Sequence, residues 1–123
     1  EGMDKSLGDM LAKVEELGVE DNTVVIFMSD NGAPKQVALN NPLRGHKLTP
    51  YEGGVRVPMI VKWPGVTKAG SVNDQYLMID DIFPTLMDVA GVDEEQYTEQ
   101  VDGVSLLPLF RGENVPAMDE RPI

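Results

Sequence analysis

Apolar residues recur every three or four positions over residues 4–17, and this spacing predicts a helix. Leucine, methionine and valine fall on one face of that helix, and lysine and glutamate fall on the other. Asp4 is a candidate N-cap, and Gly18 is a candidate C-terminal stop. The pattern therefore predicts an amphipathic helix.

A second helix is predicted over residues 81–91, DIFPTLMDVAG. Asp80 or Asp81 caps this helix, and Gly91 ends it. Pro84 falls near the first turn, where a missing N–H costs little. The apolar residues expected on one face of the helix are Ile79, Ile82, Phe83, Leu86 and Ala90.

Two apolar runs rich in β-branched residues predict strands. Residues 24–28, VVIFM, form an unbroken run that suits a strand covered on both faces. Residues 55–63, VRVPMIVKW, predict one further strand or two short ones, with Pro58 at a strand end or bulge because it lacks an N–H donor. Residues 104–110, VSLLPLF, predict a short helix that packs on the core. Helix followed by strand indicates an α/β protein of the doubly wound kind.

The segment between the two strands is long and irregular. Residues 33–49 contain prolines and a glycine and show no periodicity. Loops of this length are uncommon in compact domains and are often functional. The loop leads into residues 50–54, PYEGG, a predicted turn whose paired glycines permit backbone conformations that other residues avoid.

Composition excludes several classes of site. The chain has 123 residues, the size of one domain, and a formal net charge of -11. That charge argues against nucleic acid or an anionic membrane as a partner, although a local positive site can still bind an anionic substrate. The chain has no cysteine, which excludes disulfides, thiolate metal sites and a cysteine nucleophile. The single histidine, His46, excludes a multi-histidine zinc site within the chain.

Asp30 and Asn31 are the candidate metal ligands that the residues alone indicate. They follow the first strand directly and precede Gly32. In a regular strand their side chains would point to opposite faces, so they converge only if the chain turns, which Gly32 makes cheap. A carboxylate and an amide oxygen together suit Ca²⁺ or Mg²⁺. The three residues are also ordinary turn formers, so a metal site and a polar turn both stay open at this point.

Four stretches taken together resemble the sulfatase family of the alkaline-phosphatase-like superfamily. In chain order they are LGVEDNTVVIFMSDNG, LRGHKLTPYEGGVRVPMIVKWPG, DIFPTLMDVAG and DGVSLLPLFRG. The resemblance extends from Asp4 to about Glu113. It implies that residues 1–123 form a single partial domain, the later portion of a sulfatase catalytic domain. The implied fold class is α/β, a fragment of an alkaline-phosphatase-like α/β/α sandwich with a mostly parallel central sheet.

The resemblance implies roles for three residues. In sulfatases the Asp-Asn pair after the hydrophobic strand binds the active-site divalent metal, usually calcium, and this pair corresponds to Asp30 and Asn31. Magnesium is the alternative ion. The lysine of the G-x-K-x-T-x-x-E-G-G stretch contacts the sulfate of the substrate, which makes Lys47 both a catalytic and a substrate-binding candidate. Its ammonium can meet a sulfate oxygen as negative charge shifts during S–O cleavage.

Other residues of the same motif are expected to be structural. The family's catalytic histidines lie upstream of this segment, so His46 is expected to pack the loop or to contact substrate peripherally. Glu52 and Arg56 are expected to brace the loop that carries Lys47, as a pair. Arg44 is expected to anchor the loop, with a secondary anion contact as the alternative.

Much of the family's active site lies outside this chain. The sulfatase nucleophile is a formylglycine made from Cys or Ser in a C/S-x-P-x-R motif, and no such motif occurs here. The upstream aspartates, lysine and histidines are absent too, and two ligands are too few for tight calcium binding. We therefore expect the segment to be inactive alone and the complete protein to hydrolyse sulfate esters of a small molecule or glycan.

Two other functions stay open. A phosphate- or phosphonate-ester hydrolase of the same superfamily would use the same Asp-Asn and lysine positions, and the upstream nucleophile motif would separate it from a sulfatase. A non-catalytic binding module that kept the scaffold is the third possibility. The intact Asp30, Asn31 and Lys47 argue against this module, because a scaffold role alone does not require them.

The resemblance also bears on association and location. A fragment of a larger sheet exposes apolar surface and an unpaired strand edge, so we expect the segment to associate with itself. No apolar run in the sequence approaches the length of a membrane span. The residues do not fix a compartment, whereas the resemblance implies a periplasmic or secreted location for the complete protein.

Overall fold

The computed structural model of the chain describes residues 2–37, 40–97 and 100–121. It consists of two compact units, which divide between residues 64 and 65. The first unit contains helix α1 (Gly2–Glu16), strand β1 (Val25–Met28), helix α2 (Glu52–Val55) and strand β2 (Met59–Lys62). The second contains helices α3 (Ile82–Val89), α4 (Leu107–Phe110) and α5 (Pro116–Asp119). Short 3₁₀ helices cover Glu20–Asn22, Ile79–Asp81 and Glu94–Gln96.

Helix α1 confirms the first predicted helix but starts earlier than expected. Because α1 begins at Gly2, Asp4 lies within the first turn, where its carboxylate interacts favourably with the helix dipole, and is not the N-cap. Gly18 ends the helix as predicted, with φ +65. Its N–H donates to the Glu15 carbonyl, and the N–H of Val19 reaches one residue further back. This pair of bonds is the Schellman pattern of a glycine-terminated helix.

Strands β1 and β2 form an antiparallel pair. Val25 lies opposite Lys62, and Met28 lies opposite Met59. Within the described residues the sheet has these two strands, so the mostly parallel sheet is not seen in this chain. The apolar run of β1 indicated a covered strand, but it carries no information on strand direction. All four β1 residues are half-buried, and Pro58 immediately precedes β2, as its missing donor requires.

Helix α3 leaves much of its apolar face exposed. Ile79, Phe83 and Leu86 on that face are 67%, 52% and 47% exposed. Pro84 and Thr85 are buried instead. Apolar spacing identifies a helix face correctly, but it does not reveal which other element covers that face. Within the second unit, the apolar face of α3 stays partly open.

A buried carboxylate lies at the centre of the second unit. Asp81 is 0% exposed, and it accepts hydrogen bonds from the N–H of Met78 at 2.9 Å and the N–H of Val104 at 3.0 Å. Both terminal nitrogens of Arg121 reach the same carboxylate, at 2.8 and 2.7 Å. This bidentate pair ties the residue that precedes α3 to the last described residue of the chain.

Thr85 extends this polar centre into the backbone of the neighbouring segment. Its hydroxyl donates to the Asp81 carbonyl at 2.6 Å and accepts from the Leu106 N–H at 2.8 Å. Leu106 is completely buried, which confirms that the apolar segment before α4 packs on the core. A Cβ at Gly103 would collide with the Asp80 carbonyl, so glycine allows the two backbones to approach.

The ionisation of Asp81 follows from these contacts. Burial by itself raises the pKa of the Asp81 carboxyl, but the hydrogen bond from Arg121 and those from the backbone N–H groups of Met78 and Val104 outweigh it. The pKa therefore lies below its usual value. Since the folded pKa is below the unfolded one, the stabilisation is complete above about pH 4. It is lost as the pH falls through the folded pKa.

We expect Arg121→Gln to lower the free energy of unfolding at neutral pH by about 3 kcal/mol, because it leaves the Asp81 carboxylate buried without its cation. Urea titration followed by circular dichroism measures this change. Arg111→Gln, at an exposed position, is the matched control and should change stability by less than about 0.5 kcal/mol. Equal stabilities of the two variants, or no loss of wild-type stability below about pH 4, would contradict the role given to the pair.

Candidate functional site

The chain bends immediately after β1, at the two residues predicted to hold a metal. Asp30 and Asn31 both lie in the bend, and the Ser29 hydroxyl donates to the Asn31 carbonyl at 2.9 Å. Asp30 is exposed and Asn31 is half-buried. The bend that a shared ligand requires is therefore present, and the metal-binding role stays a prediction.

Glycine is required at position 32 for a different reason from the expected one, which was an easy turn of the chain. Its N–H donates to the Gly54 carbonyl at 2.9 Å. A Cβ at Gly32 would collide with the Gly53 carbonyl, whereas its φ is not in the left-handed region. Glycine is thus needed here because two backbones meet, and not because the bend requires special dihedral angles.

Ala33 joins this segment to the loop that carries Lys47. The Ala33 carbonyl accepts from the Lys47 N–H at 3.1 Å and from the Asn40 side-chain amide at 3.0 Å. The Asn40 oxygen in turn accepts from the Ala33 N–H at 3.1 Å. The same amide group of Asn40 also donates to the Gly45 carbonyl at 3.3 Å. The structure therefore brings the backbone of the Asp-Asn segment next to the backbone of Lys47.

Lys47 lies at the corner of a tight turn that spans residues 46–49. The Thr49 N–H donates to the His46 carbonyl at 3.0 Å, which closes the turn. The Thr49 hydroxyl donates to the same carbonyl at 2.7 Å and accepts from the His46 N–H at 3.0 Å. These bonds hold both ends of the turn, while the Lys47 side chain is exposed.

Leu48, the other central residue of the turn, has an unusual backbone conformation. Its φ is +73, and it is the one non-glycine residue with positive φ in the described part of the chain. Position i+2 of a type II turn takes this conformation and favours glycine. A leucine there costs about 1–2 kcal/mol. Its side chain is 95% exposed, so no packing within the described residues offsets that cost.

His46 packs against the peptide that follows it. Its Nδ1 lies 2.8 Å from the Lys47 carbonyl oxygen. Because a carbonyl oxygen can only accept, the His46 Nδ1 carries a proton and donates it to this bond. This contact is of the loop-packing kind that the sequence led us to expect.

The paired glycines lie in helix α2 and not in the turn predicted at residues 50–54. Both are buried, and the Gly53 N–H donates to the Arg44 carbonyl at 2.7 Å. A Cβ on Gly54 would lie 2.7 Å from the His46 carbonyl oxygen. The two missing side chains therefore allow α2 to lie directly on the backbone of the lysine loop.

Two exposed side-chain pairs lie near this loop. The Arg44 guanidinium lies 3.8 Å above the centroid of the Tyr51 ring and donates to the Tyr51 hydroxyl at 2.9 Å, which links the residues on either side of the turn. Arg56 forms the expected ion pair with Glu52 at 3.3 Å, within α2 and its C-cap. Because both pairs are exposed, each is worth about 1 kcal/mol or less. The contact between Arg44 and Tyr51 therefore anchors the loop, whereas the pair in α2 stabilises that helix.

Asp30 also lines an open, largely apolar groove of about 420 Å³ at the ends of the two strands. Phe27 and Ile60 lie in its wall, whereas Asn31 and Lys47 are not among its lining residues. The groove therefore does not unite the three predicted site residues.

The donor types at the bend fit calcium, but their number does not complete a site. Across residues 2–37, 40–97 and 100–121, no group of three or more histidine, aspartate or glutamate side chains could hold a metal ion. Asp30 and Asn31 offer the oxygen ligands that Ca²⁺ prefers, while Ca²⁺ takes six to eight of them. Asp30 and Asn31 alone therefore do not make a complete calcium site. None of its helices is long and apolar enough to cross a membrane.

Asn40 and Thr49 are the residues of this region that sequence reasoning missed. Neither carries a charge, and neither belongs to a periodic pattern. A signal was available for Thr49, because Ser and Thr hydroxyls commonly bond to nearby backbone groups in turns. For Asn40 no local signal exists, since its partner Ala33 lies seven positions away.

Comparison with known proteins gives consistent matches. A family model described as Sulfatase matches residues 1–92. An N-acetylgalactosamine-6-sulfatase of Mus musculus is 39% identical over 127 residues, which cover 98% of this chain and 24% of that protein. A steryl-sulfatase of Rattus norvegicus is 38% identical over 122 residues, which cover 91% of this chain and 21% of that protein.

A solved structure resembles the fold as well. The crystal structure of Ps i-CgsB in complex with k-i-k-neocarrahexaose has a TM-score of 0.78 and 36% identity, over 90% of this chain and 25% of that one. The chain thus spans about a quarter of the length of the relatives that it matches.

Thr49→Val should loosen the turn that presents Lys47. The change keeps the shape of the side chain, removes both hydroxyl bonds and leaves the His46 N–H without its acceptor. We expect the free energy of unfolding to fall by about 1–3 kcal/mol and the Lys47 amide proton to exchange faster with solvent. Chemical denaturation and NMR hydrogen exchange measure the two effects. Thr49→Ser restores the hydroxyl and should behave like the wild type, whereas unchanged exchange in the valine variant would refute the role of Thr49.

Proposed function

The chain belongs to the sulfatase family, and from that membership we propose that it is the later part of the catalytic domain of a sulfuric ester hydrolase. The observation that best supports the proposal is the hydrogen bond from the Lys47 N–H to the Ala33 carbonyl at 3.1 Å. It joins the segment with the candidate metal ligands, Asp30 and Asn31, to the loop with the candidate sulfate contact. Two motifs far apart in the sequence thereby meet on one backbone scaffold.

Lys47 is proposed as the group that binds and stabilises the sulfate. Its ammonium is exposed, so an anionic ligand can reach it, and it donates hydrogen bonds to a sulfate oxygen. As the S–O bond to the alcohol breaks, negative charge shifts to the departing oxygen atoms. An ammonium group held close to these atoms lowers the activation barrier of the reaction. The turn between His46 and Thr49 fixes the backbone from which that side chain extends.

Asp30 and Asn31 are proposed as ligands of a divalent cation, Ca²⁺ or alternatively Mg²⁺. When bound, such an ion supplies a positive charge that polarises the sulfate oxygens. The remaining ligands must come from outside this chain, because two oxygen donors are too few for tight binding.

The other catalytic groups are proposed to lie outside residues 1–123. They comprise the formylglycine nucleophile, which this chain cannot provide, and the acid that protonates the leaving alcohol. We propose that this segment alone is inactive and that the mostly parallel sheet of the α/β/α sandwich is completed by strands of the remaining polypeptide. On this view both compact units belong to one catalytic domain.

The substrate is proposed to be a sulfate ester of a small molecule or glycan. The relatives differ widely in this respect, since their names include a sulfated amino sugar and a sterol. The site geometry described above acts on the sulfate and is common to such compounds. A periplasmic or secreted location is proposed for the complete protein by family resemblance.

Lys47→Gln in the complete protein should lower kcat/KM for sulfate esters by about 10²–10³-fold, because one charge-stabilising donor is lost. Steady-state hydrolysis of an aryl sulfate measures the effect. Lys62→Gln, which removes an exposed lysine from β2, is the matched control and should leave kcat/KM near the wild-type value.

Asp30→Asn tests the proposed metal ligand in the same hydrolysis assay. It should raise the Ca²⁺ concentration needed for half-maximal activity, since a neutral amide binds a cation more weakly than a carboxylate. Turnover of phosphate esters in place of sulfate esters would replace the proposal by the phosphoesterase alternative. If the complete protein hydrolyses neither sulfate esters nor phosphate esters, the non-catalytic binding module is the remaining alternative.

We also propose that the isolated segment associates with itself. In the described part of the first unit each strand has one partner, and Ile60 of β2 is 64% exposed at the sheet surface. Sedimentation velocity should show a sedimentation coefficient that rises with protein concentration. Ile60→Lys should reduce this rise, while Val72→Lys, at another exposed apolar residue, should not. A single monomeric species at every concentration would contradict the proposal.

A further inference from the structure

Leu48 has a conformation and an exposure that no contact within the described chain explains. It is the most exposed large apolar side chain there, at 95%, and its φ of +73 suits glycine or asparagine better than leucine. Hydrogen bonds between His46 and Thr49, the residues that flank Lys47 and Leu48, hold the turn in this shape despite the strain at Leu48. A strained residue that gains no packing from the described part of the chain is a candidate for a contact with a ligand.

The position of Leu48 indicates which ligand that is. It follows Lys47 directly, and consecutive Cα atoms lie about 3.8 Å apart. The two residues form the corner of the same turn, so a molecule whose sulfate binds the Lys47 ammonium lies next to that corner. Both central residues of the turn are exposed, so a single ligand can contact both.

The chemistry of the two neighbouring side chains differs. Lys47 recognises charge, whereas Leu48 offers four apolar carbon atoms that hydrogen-bond to nothing. An apolar contact is favourable only with a surface that also leaves water, such as an aromatic ring or a fused aliphatic ring system.

We propose that Leu48 is a specificity-determining residue that contacts the alcohol part of the substrate and selects an apolar alcohol, of the aryl or steroid type, over a polyhydroxylated sugar. This inference rests on the proposed function, because it takes Lys47 as the sulfate contact. It narrows the substrate from any sulfate ester to those of apolar alcohols.

The test compares Leu48→Asn with the wild type in the complete protein on two substrates, a steroid sulfate and galactose 6-sulfate. Asparagine has nearly the size of leucine and tolerates positive φ, so the turn is kept while the apolar surface is lost. For the steroid sulfate, kcat/KM should fall by about 10-fold or more, mainly through a higher KM. For galactose 6-sulfate it should change by less than about twofold.

Three controls separate specificity from folding. Leu48→Met keeps an apolar side chain and should retain most of the activity on the steroid sulfate. Val72→Asn, at an apolar side chain that is 87% exposed in the second unit, should change neither substrate. The melting temperature of the Leu48→Asn protein should be equal to or above that of the wild type, because the substitution relieves strain.

The possible results distinguish a failure of this inference from a failure of the proposed function. Equal losses on both substrates, no loss on either, or a lowered melting temperature would overturn the inference, since Leu48 would then act through the fold or not at all. A wild-type protein that hydrolyses neither sulfate ester would overturn the proposed function itself, and the inference with it.

Discussion

Direct contact between two stretches of backbone is the constraint on which the candidate site depends. The chain leaving β1 lies against α2 through the bond between Gly32 and Gly54, and against the lysine loop through the bond between Ala33 and Lys47. The first approach leaves no room for a Cβ at Gly32, which would collide with the Gly53 carbonyl. The spacing between the two motifs is therefore set by the main chain, whose bonds cannot be changed by exchanging surface side chains. This arrangement suits a site whose geometry must be constant while the residues around it vary.

The sequence was informative where a local rule governs the outcome. Gly18 and Gly91 end their helices with positive φ, because a helix stop depends on dihedral freedom at one residue. The sequence was misleading where the outcome depends on residues that are distant along the chain. The apolar face of α3 was identified, but its exposure depends on what lies beyond the unit, and the direction of β1 depends on its neighbour in the sheet.

The same distinction between local rules and distant partners applies at the candidate site. The bend at Asp30 and Asn31 follows from turn chemistry. The pairing of Glu52 with Arg56 was expected from the family motif, although Glu52 begins a helix where a turn was predicted. The link through Asn40 could not be foreseen, because it joins residues whose proximity is created by the fold. Family resemblance supplied the role of Lys47, and the structure supplied the turn that carries it.

The pair formed by Asp81 and Arg121 has a consequence for how much of this polypeptide can be expressed as an independent piece. A version trimmed after α4 would still contain the residues of that helix and its buried Leu106, yet it would lack the guanidinium that neutralises a fully enclosed carboxylate. That carboxylate would then have to take up a proton or admit water, and either outcome weakens the surrounding packing. The border of the second unit therefore lies beyond α4, because Arg121 supplies the charge that balances the buried Asp81.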